Sequence, residues 1–403
     1  MKYNIGLFND SFPPTIDGVA NTVYNYAEVL YKDDVNCTVV TPKYPGVFDD
    51  YPYDVVRFSS LVMPKRLEYR AGNIVPLKVL KILSDKKFDL IHVHSPFVSS
   101  LVADEVAKLN PGIPVVFTYH TKFDVELERR IKSKYFLKIA RKFVLKNIKR
   151  ADEVWVVSDG AAKSLRDIGY KGDYKVMKNG TDFKKGKSSE EEILKLKNEL
   201  KISEDELMFL FVGRMMWYKN IKLILDALKL LPSKLKFKMV FVGDGLNRSE
   251  IEQYAKQIGI FEKCIFVGAV SDREKLREYY SASDLFIFPS TYDTSGLVVM
   301  EAAATKLPSV LIKNSCAAEN VTDNQNGFLC NENTKSLKNT ILQAVLDRKR
   351  LKEVGEHAQE EIYCSWEESV KNAYKRYEEI IENYEPKTFF GRKRRYKKWA
   401  IFS

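Results

Sequence analysis

No stretch of this chain stays apolar for the roughly 18–20 residues that a helix needs to cross a bilayer. The start does not read as a signal peptide either: Met1–Phe8 reads as a first buried strand, and Asn9 and Asp10 interrupt its apolar run too early. Cysteine is sparse. Cys37, Cys264, Cys316, Cys330 and Cys364 are scattered without metal-ligand spacing. They read as five free thiols in a reducing cytoplasm, which sets aside a disulfide framework and a structural zinc. Acidic residues are missing from one place above all: residues 387–403 hold seven Lys/Arg and no acid.

What is present suits a soluble protein of two domains. The chain has 403 residues, 45% hydrophobic and 30% charged, which is too long for one ordinary core. Its formal net charge is +11. Residues 126–150 carry +8 of it and residues 387–403 carry +7, so the remainder is net negative. Two local basic segments therefore imply an anionic partner.

Short β-rich runs alternate with amphipathic stretches in the first half. Several runs are almost wholly apolar, as expected of strands covered on both faces. A Gly/Ser/Lys-rich break follows at 178–189, and the alternation restarts at Phe209. This pattern predicts an α/β protein of two Rossmann-like, doubly wound domains facing a central cleft. The expected boundaries are 1–182 for the first domain and 183–365 for the second. A helix near 366–384 is expected to cross back to the first domain, and 385–403 to form a basic aromatic tail.

Three motifs sit where strands give way to helices. Asp10-Ser11-Phe12-Pro13-Pro14-Thr15-Ile16-Asp17-Gly18 follows the first strand, and Gly18 would let a phosphate approach a helix N-terminus. On its own this loop reads more readily as a turn. Gly213-Arg214-Met215-Met216-Trp217-Tyr218-Lys219-Asn220 follows the first strand of the second domain. Arg214 and Lys219 could neutralise a diphosphate there, or be a solvated pair of cations. Asp293-Thr294-Ser295-Gly296-Leu297-Val298-Val299-Met300-Glu301 places a helix N-terminus at Gly296, with Ser295 and Leu297 on either side. Asp293 and Glu301 are placed to accept hydrogen bonds from sugar hydroxyls.

In this order and at these strand ends, the motifs resemble glycosyltransferase family 4, over nearly the whole chain. The resemblance implies a GT-B fold and a retaining transfer from a nucleotide-sugar. It further implies that Gly18 lies beside the donor diphosphate, that Arg214 and Lys219 are the cationic pair on it, and that Glu301 holds the ribose. Asp293 stands where the family has a Glu on the transferred sugar, one methylene shorter. Val267 and Val270, in Phe266-Val267-Gly268-Ala269-Val270, fall in the loop that resembles the family's base-reading segment. His120 matches the family's cleft histidine near the transferred sugar; read without the resemblance it is a strand-end histidine satisfied by backbone. His94 is expected to border the acceptor, with a packed His92–His94 pair as the alternative. The catalytic set expected is therefore His120, Arg214, Lys219 and Asp293. Asp-x-Asp, the triplet with which many sugar transferases bridge a diphosphate through a divalent ion, occurs nowhere. No metal and no other cofactor is expected, with the two cations and helix N-termini supplying the charge.

The family includes bacterial membrane glycolipid synthases, and the basic segments fit such a role. Lys134, Lys138, Lys142 and Lys146 recur at i, i+4 and Arg141 widens the stripe, beside a separate apolar face of Phe136, Ile139, Ala140, Phe143 and Val144. Such a helix either packs on its domain with a solvated polar face or also meets anionic headgroups. Arg392, Lys393, Arg394, Arg395, Lys397 and Lys398, next to Trp399, form a second membrane candidate. The expectation is a cytoplasmic enzyme peripheral to the inner face of the cell membrane. It would move a hexose, glucose first, from a UDP-sugar to diacylglycerol or a similar lipid. Polysaccharide or teichoic-acid assembly, and a degenerate nucleotide-sugar-binding scaffold, are the alternatives. Nucleic acid is not an expected partner, because no recognition motif for it is present.

Overall fold

A computed structural model of the protein describes residues 3–15, 17–62, 70–72 and 77–385. The tail cations Arg392, Lys393, Arg394, Arg395, Lys397 and Lys398, with Trp399, lie outside the described residues. Two compact units divide the chain. The first takes the described residues up to Val156, Leu165–Met177 and those from Val370 onward; the second takes Val157–Ser164 and Lys178–Ser369. The short segment Val157–Ser164 thus goes with the second unit, inside the 1–182 span expected of the first domain. It does so because Ser158 Oγ donates to Thr294 O at 2.6 Å and the Asp159 N–H donates to Glu319 at 2.5 Å.

The first unit holds β1 (Asn4–Phe8), β2 (Asn36–Pro42), β3 (Asp54–Phe58), a hairpin of β4 (Ser60–Val62) and β5 (Arg70–Gly72), β6 (Leu90–Val93), β7 (Val115–Tyr119), β8 (Glu153–Val156) and β9 (Lys175–Val176). Its main sheet runs β3-β2-β1-β6-β7-β8-β9, and every pairing in it is parallel. The second unit holds β10 (Leu207–Val212), β11 (Phe237–Val242), β12 (Cys264–Gly268), β13 (Leu285–Phe288), β14 (Ser309–Ile312) and β15 (Phe328–Cys330), in the order β12-β11-β10-β13-β14-β15, again all parallel. Leu207–Val212 is buried along its whole length, which is why its sequence is an unbroken apolar run. Both orders reverse direction once, between β1 and β6 and between β10 and β13. Ligands of open α/β sheets bind outside the carboxyl ends of the strands at such a switch point.

The loop after β1 is held by half-buried polar groups. Asp10 accepts from the N–H and hydroxyl of Ser99, both at 2.9 Å, and so caps the helix Val98–Leu109 that no side chain of its own caps. Arg57 donates to Pro13 O and Pro42 O and pairs with Asp49, tying three chain segments together.

The helix Trp366–Glu382 belongs to the first unit from Val370 onward, and its anchor there is aromatic. Tyr377 stacks on Trp155 with ring centroids 5.4 Å apart, and both are fully buried. The Tyr377 hydroxyl meets His92 Nδ1 at 2.6 Å, and Thr118 Oγ1 meets His92 Nε2 at 2.6 Å. Tyr377→Phe leaves one buried ring nitrogen unsatisfied, which costs about 1–3 kcal/mol. The expected result is a lower urea midpoint at unchanged slope, followed by tryptophan fluorescence. An unmoved midpoint would show that this bond carries no stability.

Candidate nucleotide-sugar site

At the switch point of the second unit, the loop after β10 meets the loop after β13. Two glycines, one after β10 and one after β11, shape this edge. Gly213 lies at φ 153°, and a Cβ on Gly243 (φ 137°) would fall 2.0 Å from Gly213 O, so the turns after β10 and β11 touch backbone to backbone. Lys219 lies in the 3₁₀ turn Trp217–Lys219, which precedes the helix Ile221–Lys229. Asn220 adopts a left-handed conformation (φ 59°) between turn and helix. Lys219 is 9% exposed, and its Nζ bonds Asp293 Oδ1 at 2.5 Å. The rings of Tyr218, Phe288 and Tyr292 surround the ammonium at 5.7–5.9 Å. Two sequence-identified residues 74 positions apart are therefore a direct ion pair. Arg214 lies exposed on the same loop.

Gly296 opens the helix Leu297–Ala304 at φ 60° with no side-chain cap. A Cβ there would sit 3.0 Å from Ala317 Cα, so both the turn and the packing require glycine. Uncapped amides at a helix start favour an anion. Ser295 Oγ lies 3.5 Å from Asn179 Nδ2.

Glu301 is 7% exposed, and both of its oxygens are engaged. Arg273 Nη2 donates to Oε1 at 2.6 Å and the Tyr280 hydroxyl donates to Oε2 at 2.7 Å. A carboxylate offers about four lone-pair sites, so two remain for other donors. Neither Arg273 nor Tyr280 stands out in the sequence. Burial pushes the Tyr280 hydroxyl well above its usual range, and the Glu301 charge adds to this.

At β12 the ladder slips. Phe241 pairs with Phe266 and Val242 with Gly268, so Val267 is the extra residue of a bulge. Val267 and Val270 are half-buried against the core of the second unit.

Gly18 and His94 lie in the first unit. Gly18 begins its helix, but Asp17 Oδ1 already accepts from the N–H groups of Val19 and Ala20, both at 2.8 Å. A phosphate beside Gly18 therefore competes with an Asp N-cap, among the strongest caps available. His94, expected to border an acceptor, is 3% exposed, and its Nδ1 lies 3.0 Å from His120 Nε2. The rings of His92 and His94 are 3.9 Å apart, so the packed pair is realised as well. Burial lowers the pKa of His120 to about 3, and burial followed by the neighbouring histidines lowers those of His92 and His94. All three are neutral near pH 7.

Among the described residues, no group of three or more His, Cys, Asp or Glu side chains could hold a metal ion. Among the same residues, no helix is long and apolar enough to cross a membrane. All five cysteines are free thiols.

Two Rossmann-like units with parallel sheets, and a cation, an acid and an open helix start at one switch point, define a glycosyltransferase of the GT-B type. Two family models cover most of the chain: Glycosyltransferase Family 4 matches residues 16–185 and Glycosyl transferases group 1 matches residues 192–361. The chain belongs to this family. An alpha-monoglucosyldiacylglycerol synthase of Streptococcus pneumoniae is 26% identical over 334 residues, covering 81% of this chain and 74% of that protein. One of Acholeplasma laidlawii is 26% identical over 350 residues, covering 84% and 87%. The crystal structure of Anabaena HepE in complex with UDP and glucose shares the fold at a TM-score of 0.74 and 21% identity, covering 95% of this chain and all of that one.

Proposed function

We propose that the protein is a retaining hexosyltransferase. It transfers glucose, as the first candidate, from a UDP-linked donor to a diacylglycerol-type acceptor on an anionic membrane. On this reading Lys219 and Arg214 face the diphosphate, Glu301 accepts from the ribose, Asp293 accepts from the sugar, and Val267 and Val270 flank the base. Neutral His120 offers a hydrogen bond to a sugar hydroxyl, and His94 fixes which His120 nitrogen carries the proton. The acceptor oxygen bonds to the anomeric carbon on the face the diphosphate leaves. The anomeric carbon–phosphate oxygen bond breaks with its electrons going to the phosphate, which takes the acceptor proton. Charge at the anomeric carbon rises in an oxocarbenium-like transition state, as in glycosyl transfer generally. The cations stabilise the leaving diphosphate, and no metal is assigned to the reaction.

The observation that supports a lipid acceptor is the helix Lys134–Ile148. The N-terminal part of its apolar face does not pack on the domain. Exposure runs from 43% at Phe143 to 70% at Tyr135, with Phe136 and Ile139 between them, and only Val144, Asn147 and Ile148 are buried. Lys134, Lys138, Lys142 and Lys146 are exposed on the same helix, and Arg141 bonds Glu128. Exposed aromatics interleaved with cations suit a headgroup layer.

The test measures UDP release from UDP-glucose with vesicles that contain or lack diacylglycerol, in EDTA throughout. Release that depends on diacylglycerol supports the reading. Release with equal rates in both, or activity restored only by manganese, rejects the lipid acceptor or the metal-independent step respectively.

A further inference from the structure

We infer that Arg273 is a positioning residue for nucleotide recognition: its guanidinium fixes the Glu301 carboxylate in the orientation that accepts ribose hydroxyls. The inference rests on the reading of Glu301 as the ribose acceptor and adds the group on which that acceptor depends.

Arg273 is the first residue of the helix Arg273–Ala282 and forks between two acids. Its Nε and Nη2 donate to Asp182 at 2.8 and 2.5 Å, and Nη2 also donates to Glu301 at 2.6 Å. The guanidinium lies 4.5 Å from the Phe183 ring centroid. Planar, bidentate and stacked contacts of this kind leave a side chain little freedom. Asp182 is itself fixed, since its neighbour Thr181 pairs with the returning chain through Thr181 N–Cys364 O and Trp366 N–Thr181 O. A Cβ on Gly180 would clash with Ser365 O at 2.4 Å, so the two strands of chain lie in close contact. A rigid crossing segment thus holds Asp182, Asp182 holds Arg273, and Arg273 holds one oxygen of Glu301. Tyr280 holds the other. Without Arg273 a nearly buried carboxylate loses its cation and one of two fixed bonds, and it turns away from the ribose or binds water.

The experiment compares a nucleoside diphosphate with its 2′,3′-dideoxy form by calorimetry, using whichever of UDP and GDP binds the full-length wild-type chain more tightly. Wild type is expected to prefer the ribose form by about tenfold or more, as for loss of hydrogen bonds to a charged acceptor. Glu301→Gln is expected to weaken that preference. Arg273→Ala is expected to bring the ratio to within about threefold of one. Arg273→Lys keeps a cation that cannot fork to both acids, and is expected to give an intermediate ratio. A purely structural role would weaken both ligands together and leave their ratio alone. A wild-type ratio in either folded Arg273 variant, beside a reduced ratio in Glu301→Gln, overturns the inference and spares the ribose reading. No ribose preference in wild type overturns both.

Discussion

Lys219→Ala is expected to lower kcat by roughly tenfold to a thousandfold while the fold and most of the nucleotide affinity persist. This range corresponds to about 1.4 to 4 kcal/mol of transition-state stabilisation. The size follows from where the ammonium sits. It is nearly buried, ringed by Tyr218, Phe288 and Tyr292, and fixed on Asp293 at 2.5 Å. A cation held in a water-poor cage needs no reorganisation when charge appears on a leaving diphosphate. A solvated lysine would have to shed water at the same moment. Interactions that strengthen only as charge develops appear in kcat, not in ground-state binding. Arg214→Ala is expected to fall near the tenfold end of that range, since its side chain is exposed on the same loop and must shed water as charge develops. Single-turnover measurements with saturating UDP-glucose separate the chemical step from product release. Wild-type rates in both variants would remove these residues from the chemistry.

The strands that carry the sites were legible because they are buried on both faces. Leu285–Phe288 and Ser309–Ile312 are found where the apolar runs predict them. The hairpin β4–β5 and the strand β15 were missed: each has only three residues per strand, too short to show a period. The segment Phe123–Arg130 is a helix on which Glu126 pairs with Arg129 and Arg130 at i,i+3 and i,i+4, a spacing that so short and polar a stretch does not announce in sequence. Asp293 and Glu301 stand out locally through their flanking Ser, Gly and Ala. Their partners do not. Lys219 is 74 positions from Asp293, and Arg273 is 91 from Asp182. Arg273 opens a helix rich in Glu, Lys and Arg, so in sequence it looks like any solvated first-turn cation. Only the third dimension places it between two acids. The histidines show the same limit. Alternation along a strand puts His92 and His94 on one face, but the pairing of β6 with β7 brings His120 to them.

Removing the charges of Lys138, Lys142 and Lys146 together, as glutamines, is expected to weaken binding to anionic vesicles on the order of a hundredfold. Each cation near such a surface contributes about 1 kcal/mol, and three give about 3 kcal/mol. These side chains are exposed on the helix Lys134–Ile148, so their removal leaves the interior untouched. The loss should shrink as salt rises, because the attraction decays over a Debye length. Phe136→Ser with Phe143→Ser probes the other half of the surface. It is expected to weaken binding to neutral and anionic vesicles alike, since it removes apolar contact and not charge. The two variants therefore separate attraction to headgroups from insertion below them. The tail cations from Lys387 to Lys398 are kept in both, so their contribution is common to every comparison. UDP binding in solution should be unchanged, which distinguishes loss of the membrane from loss of the donor site. Equal sedimentation of wild type and the triple glutamine variant with anionic vesicles would assign the exposed lysines to some surface other than lipid.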